Sequence, residues 1–170
     1  MMGCGKSTVG RLLARRLSRE FLDADAEIVR RVGRTIPEIF SGEGEAAFRG
    51  YESALIDAAA SGAAVVALGG GAIAQPGAAA RLRASGCVVY LRARPAVLLA
   101  RIGDPVGRPL LAGLSPAARE AKLAELLVER EPAYLTAAIV VDTDGLSAAE
   151  VARDLSERLS CGEGSEMARP

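Results

Sequence analysis

The residues best equipped for chemistry stand at the start of the chain, Met1-Met2-Gly3-Cys4-Gly5-Lys6-Ser7-Thr8. Gly5-Lys6-Ser7 is the closing half of the phosphate-cradling pattern G-x-x-x-x-G-K-[ST]. Glycines at 3 and 5 let successive backbone N–H groups turn toward phosphate oxygens, and a helix opening at Lys6 adds the positive end of its dipole. In that setting the Lys6 ammonium reaches the β/γ-phosphates and the Ser7 hydroxyl can ligate Mg²⁺. Lysine occurs only here and at Lys122, against many arginines, so its presence in this slot is informative. The plain alternative is a glycine-rich arm leading into an ordinary helix. The first glycine of the pattern would fall one residue before Met1, and the strand that feeds such a loop further upstream. A start set too late is the expected reason, and a version extended upstream by one strand is expected to be the more stable.

Other chemistry-bearing residues lie further along. Phe21-Leu22 reads as a short strand ending in Asp23-Ala24-Asp25, and carboxylates at i and i+2 on a strand end point the same way. Either could instead cap the helix that follows. Arg49 and Glu52 lie three apart on one helix face, so Arg49 could be simply the partner of Glu52. Gly69-Gly70-Gly71 ends an apolar run, where bare backbone admits a ligand closely unless the loop merely needs positive φ. Arg108 lies in a stretch rich in glycine and proline, 103–113, which reads as a mobile surface loop. Arg130, near a helix end, could be a solvated cation complementing the dipole.

The elements that must position these groups follow from periodicity. A helix runs from Ser7 to about Ser18, with Val9, Leu12, Leu13 and Leu17 on one face and Arg11, Arg15, Arg16 and Arg19 on the other. Helices follow to Val32, stopped by Gly33; from the Thr35/Glu38 capping box, broken at residues 42–44; from Glu45 to about Ala60; and from Gln75-Pro76 to about Ala84. Pro95 opens a helix to Arg101, Ser115-Pro116 one to Tyr134, and the Ser147/Glu150 capping box one to Leu159. Strands are expected at 63–68, 87–91 and 139–142. The alternation implies an α/β fold with a parallel sheet of four strands, its central first strand missing from the sequence. One domain spans 1–159, and 160–170 reads as a disordered tail.

Composition excludes several function classes. The 170 residues balance to a formal charge of +0 with a pI near 6.4, which gives no footprint for nucleic acid or anionic membranes. No histidine is present, so Ser-His and Cys-His nucleophiles and histidine metal sites are ruled out. Cys4, Cys87 and Cys161 are odd in number and far apart, indicating neither a disulfide framework nor a zinc site, and a reduced cytoplasm is the simplest home. No apolar run reaches the length of a membrane span.

Taken together, the chain resembles the shikimate kinases. The resemblance runs from Gly3 to about Leu159 and rests on the joint order of Gly3-x-Gly5-Lys6-Ser7-Thr8, Phe21-Leu22-Asp23-x-Asp25, Phe48-Arg49-x-x-Glu52, Gly69-Gly70-Gly71, Arg108-Pro109-Leu110-Leu111 and Arg130-x-Pro132-x-Tyr134. It implies a three-layer P-loop kinase fold with a lid at about 103–116. The implied activity is transfer of the γ-phosphoryl of ATP to the 3-hydroxyl of shikimate, with Mg²⁺ as cofactor. By that resemblance Gly3, Cys4, Gly5, Lys6, Ser7 and Thr8 hold the ATP phosphates, though the Cys4 side chain is assigned no role. Asp23 holds Mg²⁺ with Ser7, and Asp25 binds the acceptor hydroxyls and orients or deprotonates the attacking one. Arg49 and Arg130 hold the shikimate carboxylate, and Gly70 and Gly71 offer backbone N–H groups. Arg108 is the lid arginine over the phosphates, and Arg101 packs on adenine. A monomer acting on small molecules is implied. The alternatives are another small-metabolite kinase, such as a gluconate-type kinase, or a nucleotide-binding relative without turnover.

Overall fold

Gly5, at φ 90°, turns the amino-terminal loop into the first helix and accepts its first internal hydrogen bond, from Val9 N at 2.8 Å. The computed structural model describes residues 1–60, 63–103 and 109–161. Its elements are α1 (Lys6–Leu17), β1 (Phe21–Asp23), α2 (Ala24–Val32), α3 (Ile36–Ala60), β2 (Val65–Ala67), α4 (Ala78–Ser85), β3 (Val89–Arg92), α5 (Pro95–Ile102), a 3-10 turn (Pro109–Leu111), α6 (Pro116–Tyr134), β4 (Ile139–Asp142) and α7 (Ala148–Ser160).

The four expected strands are all present and pair in parallel two by two. Phe21 lies beside Val65 and Asp23 beside Ala67, while Val89 lies beside Ile139 and Arg92 beside Asp142. Among the described residues β2 and β3 do not pair. Their facing edges line a cavity of about 570 Å³, walled by Val65, Val66, Val88 and Val89 and floored by Val9 and Leu13 of α1. Among the described residues, the facing edges of β2 and β3 are therefore apolar and unpaired.

Two cores hold the halves. The larger gathers α1, α5, α6, α7, β3 and β4 around Leu98, Leu123 and Leu155, each essentially without exposure. The smaller packs α2 on α3 through Ile28, Ile39, Phe48 and Leu55. Burying one such side chain contributes roughly 1.5–3 kcal/mol, so single truncations here are costly. Both predicted capping boxes form: Thr35 N donates to Glu38 Oε2 at 2.7 Å, and Ser147 N to Glu150 Oε2 at 2.8 Å.

Several boundaries differ from the sequence expectation, each for a local reason. The strand ends at Asp23 and Ala24 already opens α2, so Asp25 sits in the first helical turn and not on the strand end. Capping decides this, because Asp23 Oδ1 accepts from Ala26 N at 3.4 Å. The break expected at residues 42–44 is present: Gly44, at φ 81° and ψ 173°, is non-helical, so two helical segments meet at a kink within α3. The helix expected from residue 75 begins at Ala78, since Gly77 takes φ 75° at its cap. The stretch 103–113 is not wholly a mobile surface loop: Leu111, in the 3-10 turn, is completely buried. Residues 104–108, and most of the expected tail, 162–170, lie outside the described residues.

Candidate active site

The phosphate loop is built by backbone conformation and by packing. Gly3 and Gly5 both take positive φ, 75° and 90°, where a side chain would be strained. Gly3 has a second constraint, since a Cβ on it would lie 2.8 Å from Leu98 O and from Ile102 Cγ1. The end of α5 is thus pressed against the loop, which brings Arg101 to its flank. Inside the loop, Lys6 Nζ donates to Met1 O at 2.7 Å and the buried Cys4 thiol donates to the same oxygen at 3.0 Å. Thr8 follows in α1 and is exposed.

Ser7 and Asp23 are joined directly, Ser7 Oγ donating to Asp23 Oδ2 at 2.6 Å. Asp23 therefore serves two ends at once, one oxygen capping α2 and the other facing the phosphate loop. The pair supplies two hard oxygen donors, the chemistry that suits Mg²⁺. Asp25, one turn into α2, has its carboxyl raised above the ordinary value chiefly by burial and secondarily by the charge of Asp23, with Lys6 and Arg49 opposing.

Residues 69–71 leave β2 and pass through the middle of the remaining groups. None of the three glycines takes positive φ. What requires glycine is crowding: a Cβ on Gly69 would lie 3.0 Å from Glu52 Oε1 and 3.1 Å from Asp25 Oδ1, and one on Gly71 only 2.6 Å from Arg49 Nη2. Gly70 faces Arg130 Nη1 and the Tyr134 hydroxyl, at 3.7 and 3.4 Å from the same hypothetical atom. The loop therefore presents one functional group at each residue, bringing Asp25, Arg49 and Arg130 around a single stretch of backbone.

Tyr134, absent from the sequence-predicted site residues, and Glu52, read only as a possible partner of Arg49, hold this arrangement. Tyr134 donates its hydroxyl to Gly70 O at 2.6 Å, and its ring lies 4.9 Å from that of Tyr90. Glu52, only 3% exposed, accepts from Arg49 Nη1 at 2.9 Å, while Glu45 Oε1 accepts from Arg49 Nη2 at 2.8 Å. The structural reading of Arg49 as the partner of Glu52 is thus observed, and the pairing fixes where its guanidinium points. Glu52 Oε1 is buried without a partner among the described residues, and burial raises this carboxyl. Both residues stood inside recognised motifs, which was the available signal.

Arg101 donates from Nη1 to Thr143 Oγ1 at 2.8 Å and from Nη2 to Thr143 O, which ties α5 to the loop after β4. Arg108 lies outside the described residues. The other sequence-predicted site residues gather along one side of the molecule, from the phosphate loop to residues 69–71.

Comparison with known proteins agrees with this geometry. The family model for shikimate kinase matches residues 2–160. The shikimate kinase of Halorhodospira halophila is 48% identical over 160 residues, covering 93% of this chain and 89% of that protein. That of Moorella thermoacetica is 46% identical, covering 93% and 90%. Among solved structures, shikimate kinase from Acinetobacter baumannii in complex with shikimate superposes with a TM-score of 0.84 at 42% identity, over 95% of this chain and 89% of that one. The enzyme from Bacteroides thetaiotaomicron gives 0.87 at 30% identity, with 94% of each chain covered. With a phosphate loop, a carboxylate at Asp25 and two arginines around one glycine loop, the chain belongs to the shikimate kinase family.

Proposed function

We propose that this shikimate kinase runs its reaction through Lys6, Asp25, Arg49 and Arg130, with Arg108 closing over the phosphates. The observation that carries the reading is the convergence of the Asp25 carboxylate and two guanidinium groups on residues 69–71, beside the phosphate loop. A planar guanidinium fork suits a carboxylate better than an ammonium does, so Arg49 and Arg130 take the shikimate carboxylate. Glu45 and Glu52 hold the Arg49 fork in place, and Gly70 and Gly71 leave backbone accessible where the ring lies.

Asp25 then orients the 3-hydroxyl and accepts its proton as the oxygen attacks the γ-phosphorus. The new O–P bond forms as the bond to the β–γ bridging oxygen breaks, and ADP leaves with that electron pair. A carboxyl raised by burial is a better proton acceptor than an ordinary one, an effect that the charges of Lys6 and Arg49 oppose. Lys6 moves from Met1 O to the β/γ-phosphates, and Arg108 spreads the charge of the transferring group. Ser7 and Asp23 would hold the Mg²⁺ that accompanies ATP, which would supply charge neutralisation on the phosphates. Arg101, anchored on Thr143, presents its guanidinium plane to adenine. Cysteine usage supports a reduced cytoplasm and the family resemblance a monomer, with Cys4 a buried thiol inside the loop.

Comparing shikimate with its methyl ester tests the reading. The wild-type chain should prefer the free acid strongly in kcat/KM, and Arg49→Ala should abolish that preference by raising KM for the acid alone. An unchanged preference would remove Arg49 from the carboxylate site.

A further inference from the structure

On the far side of β1 from residues 69–71, a second cavity of about 520 Å³ opens between α1 and α2. Four arginines line it, Arg11, Arg15, Arg19 and Arg30, together with the carboxylates of Asp23 and Glu27. Four guanidinium groups against two carboxylates leave two positive charges in surplus, in a chain whose formal charge balances to +0. Among the described residues, Arg11, Arg15 and Arg19 have no carboxylate within 4.0 Å, whereas Arg30 is held by Glu27 at 2.7 Å. Arg11 and Arg15 stand at i and i+4 on α1, where like charges weaken a helix, and Arg19 follows just past the end of that helix. The positive charge at the end of α1 is partly offset by the helix dipole, but the dipole does not account for a concave wall of guanidinium groups.

The site is also built. The Arg11 guanidinium lies 5.3 Å over the Phe21 ring, and that ring is seated against Gly10, where a Cβ would come within 2.6 Å of Phe21 Cε2. Gly10 thus places the ring, and the ring places Arg11. The floor beside it, Ala14 and Leu22, is apolar. The volume exceeds what a bare inorganic anion needs and lies in the range of small-molecule sites.

We propose that this cavity is a second anion site, separate from the phosphate loop, which takes a phosphate monoester whose organic body carries a ring. The dianionic phosphate meets the two surplus charges through forked hydrogen bonds from Arg15 and Arg19. The ring packs on the Phe21 and Leu22 side. Asp23 forms part of this wall while its other face meets Ser7, so the two sites share one residue.

Calorimetric titration of the full chain with phenyl phosphate, in the presence of saturating Mg-ADP, tests this. Binding should persist with Mg-ADP present and weaken about tenfold or more in Arg15→Gln/Arg19→Gln. It should tighten about threefold in Glu27→Gln, which removes a negative charge from the wall. Should the double variant fail to fold, Arg15→Gln alone and Glu27→Gln decide between them, because their shifts have opposite sign. Absence of binding, displacement by Mg-ADP, or affinities unchanged in the variants would each overturn the proposal.

Discussion

The two glycine loops of this protein use one residue type for different physical reasons. At Gly5 the backbone demands glycine: φ is 90°, and a Cβ would meet nothing closer than Val9 Cγ2 at 3.7 Å. At Gly69 and Gly71 the backbone makes no such demand, and the neighbours do, with Asp25, Glu52 and Arg49 standing where a side chain would be. The first loop is a conformation aimed at phosphate. The second is a gap through which functional groups approach one another, so its substitution should injure acceptor binding and leave the backbone alone.

The largest expected effect is at the group that faces Gly69. Asp25→Asn should lower kcat by roughly 10²–10⁴, yet leave the protein at least as stable at neutral pH. The folded chain holds the Asp25 proton more tightly than the unfolded chain does, so this carboxyl's contribution to stability declines as pH rises from its ordinary value of 3.8 through the raised one. Asn removes that decline. Melting curves should therefore show Asp25→Asn equal to or above the wild type at pH 7, with the gap closing toward pH 4; a lower midpoint at pH 7 would contradict the assignment of burial as the main cause.

Next come the glycines themselves. Gly71→Ala should raise KM for shikimate about tenfold, as Arg49 is pushed from its place, with little change in Tm because the end of a flexible side chain gives way. Gly5→Ala should do the reverse, costing about 1–2 kcal/mol of stability and raising KM for ATP more than for shikimate. If both variants lost stability equally, the distinction between the loops would fail.

A third effect sharpens the difference in support. The Gly70 loop is tied by Tyr134, while the phosphate loop leads into α1 over the cavity between β2 and β3. An additional apolar strand of about 5–10 residues ahead of Met1 should pair with both strand edges and raise Tm by several degrees. KM for ATP should fall with it and KM for shikimate should stay. Equal midpoints would show that the strand edges are not the weak point. Smallest is Arg101→Ala, expected to raise KM for ATP only a few-fold, since Arg101 already makes two bonds to Thr143.

Much of this was legible in the sequence where the chemistry is local. Gly3, Gly5, Lys6 and Ser7 are contiguous, four strands and the capped helices followed from periodicity, and Asp23, Asp25, Arg49 and Arg130 stood in recognisable motifs. What was not legible depends on contacts between distant residues. Tyr134 and Gly70 are separated by 64 positions, so nothing near either announces the bond. The structural contacts of Asp23 and Arg49 do not compete with the functions proposed for them, because a carboxylate has two oxygens and a guanidinium several donors. Arg11, Arg15 and Arg19 read only as the face opposite Val9 and Leu13, and the concavity they line depends on α2 and β1 packing beside them.

The central claim, that this chain joins phosphate loop and acceptor site into one catalytic unit, is tested most directly by ADP release from Mg-ATP with and without shikimate. Release should depend on shikimate and be lost in both Lys6→Ala and Asp25→Asn. Release at the same rate without shikimate, or surviving in Asp25→Asn, would contradict it.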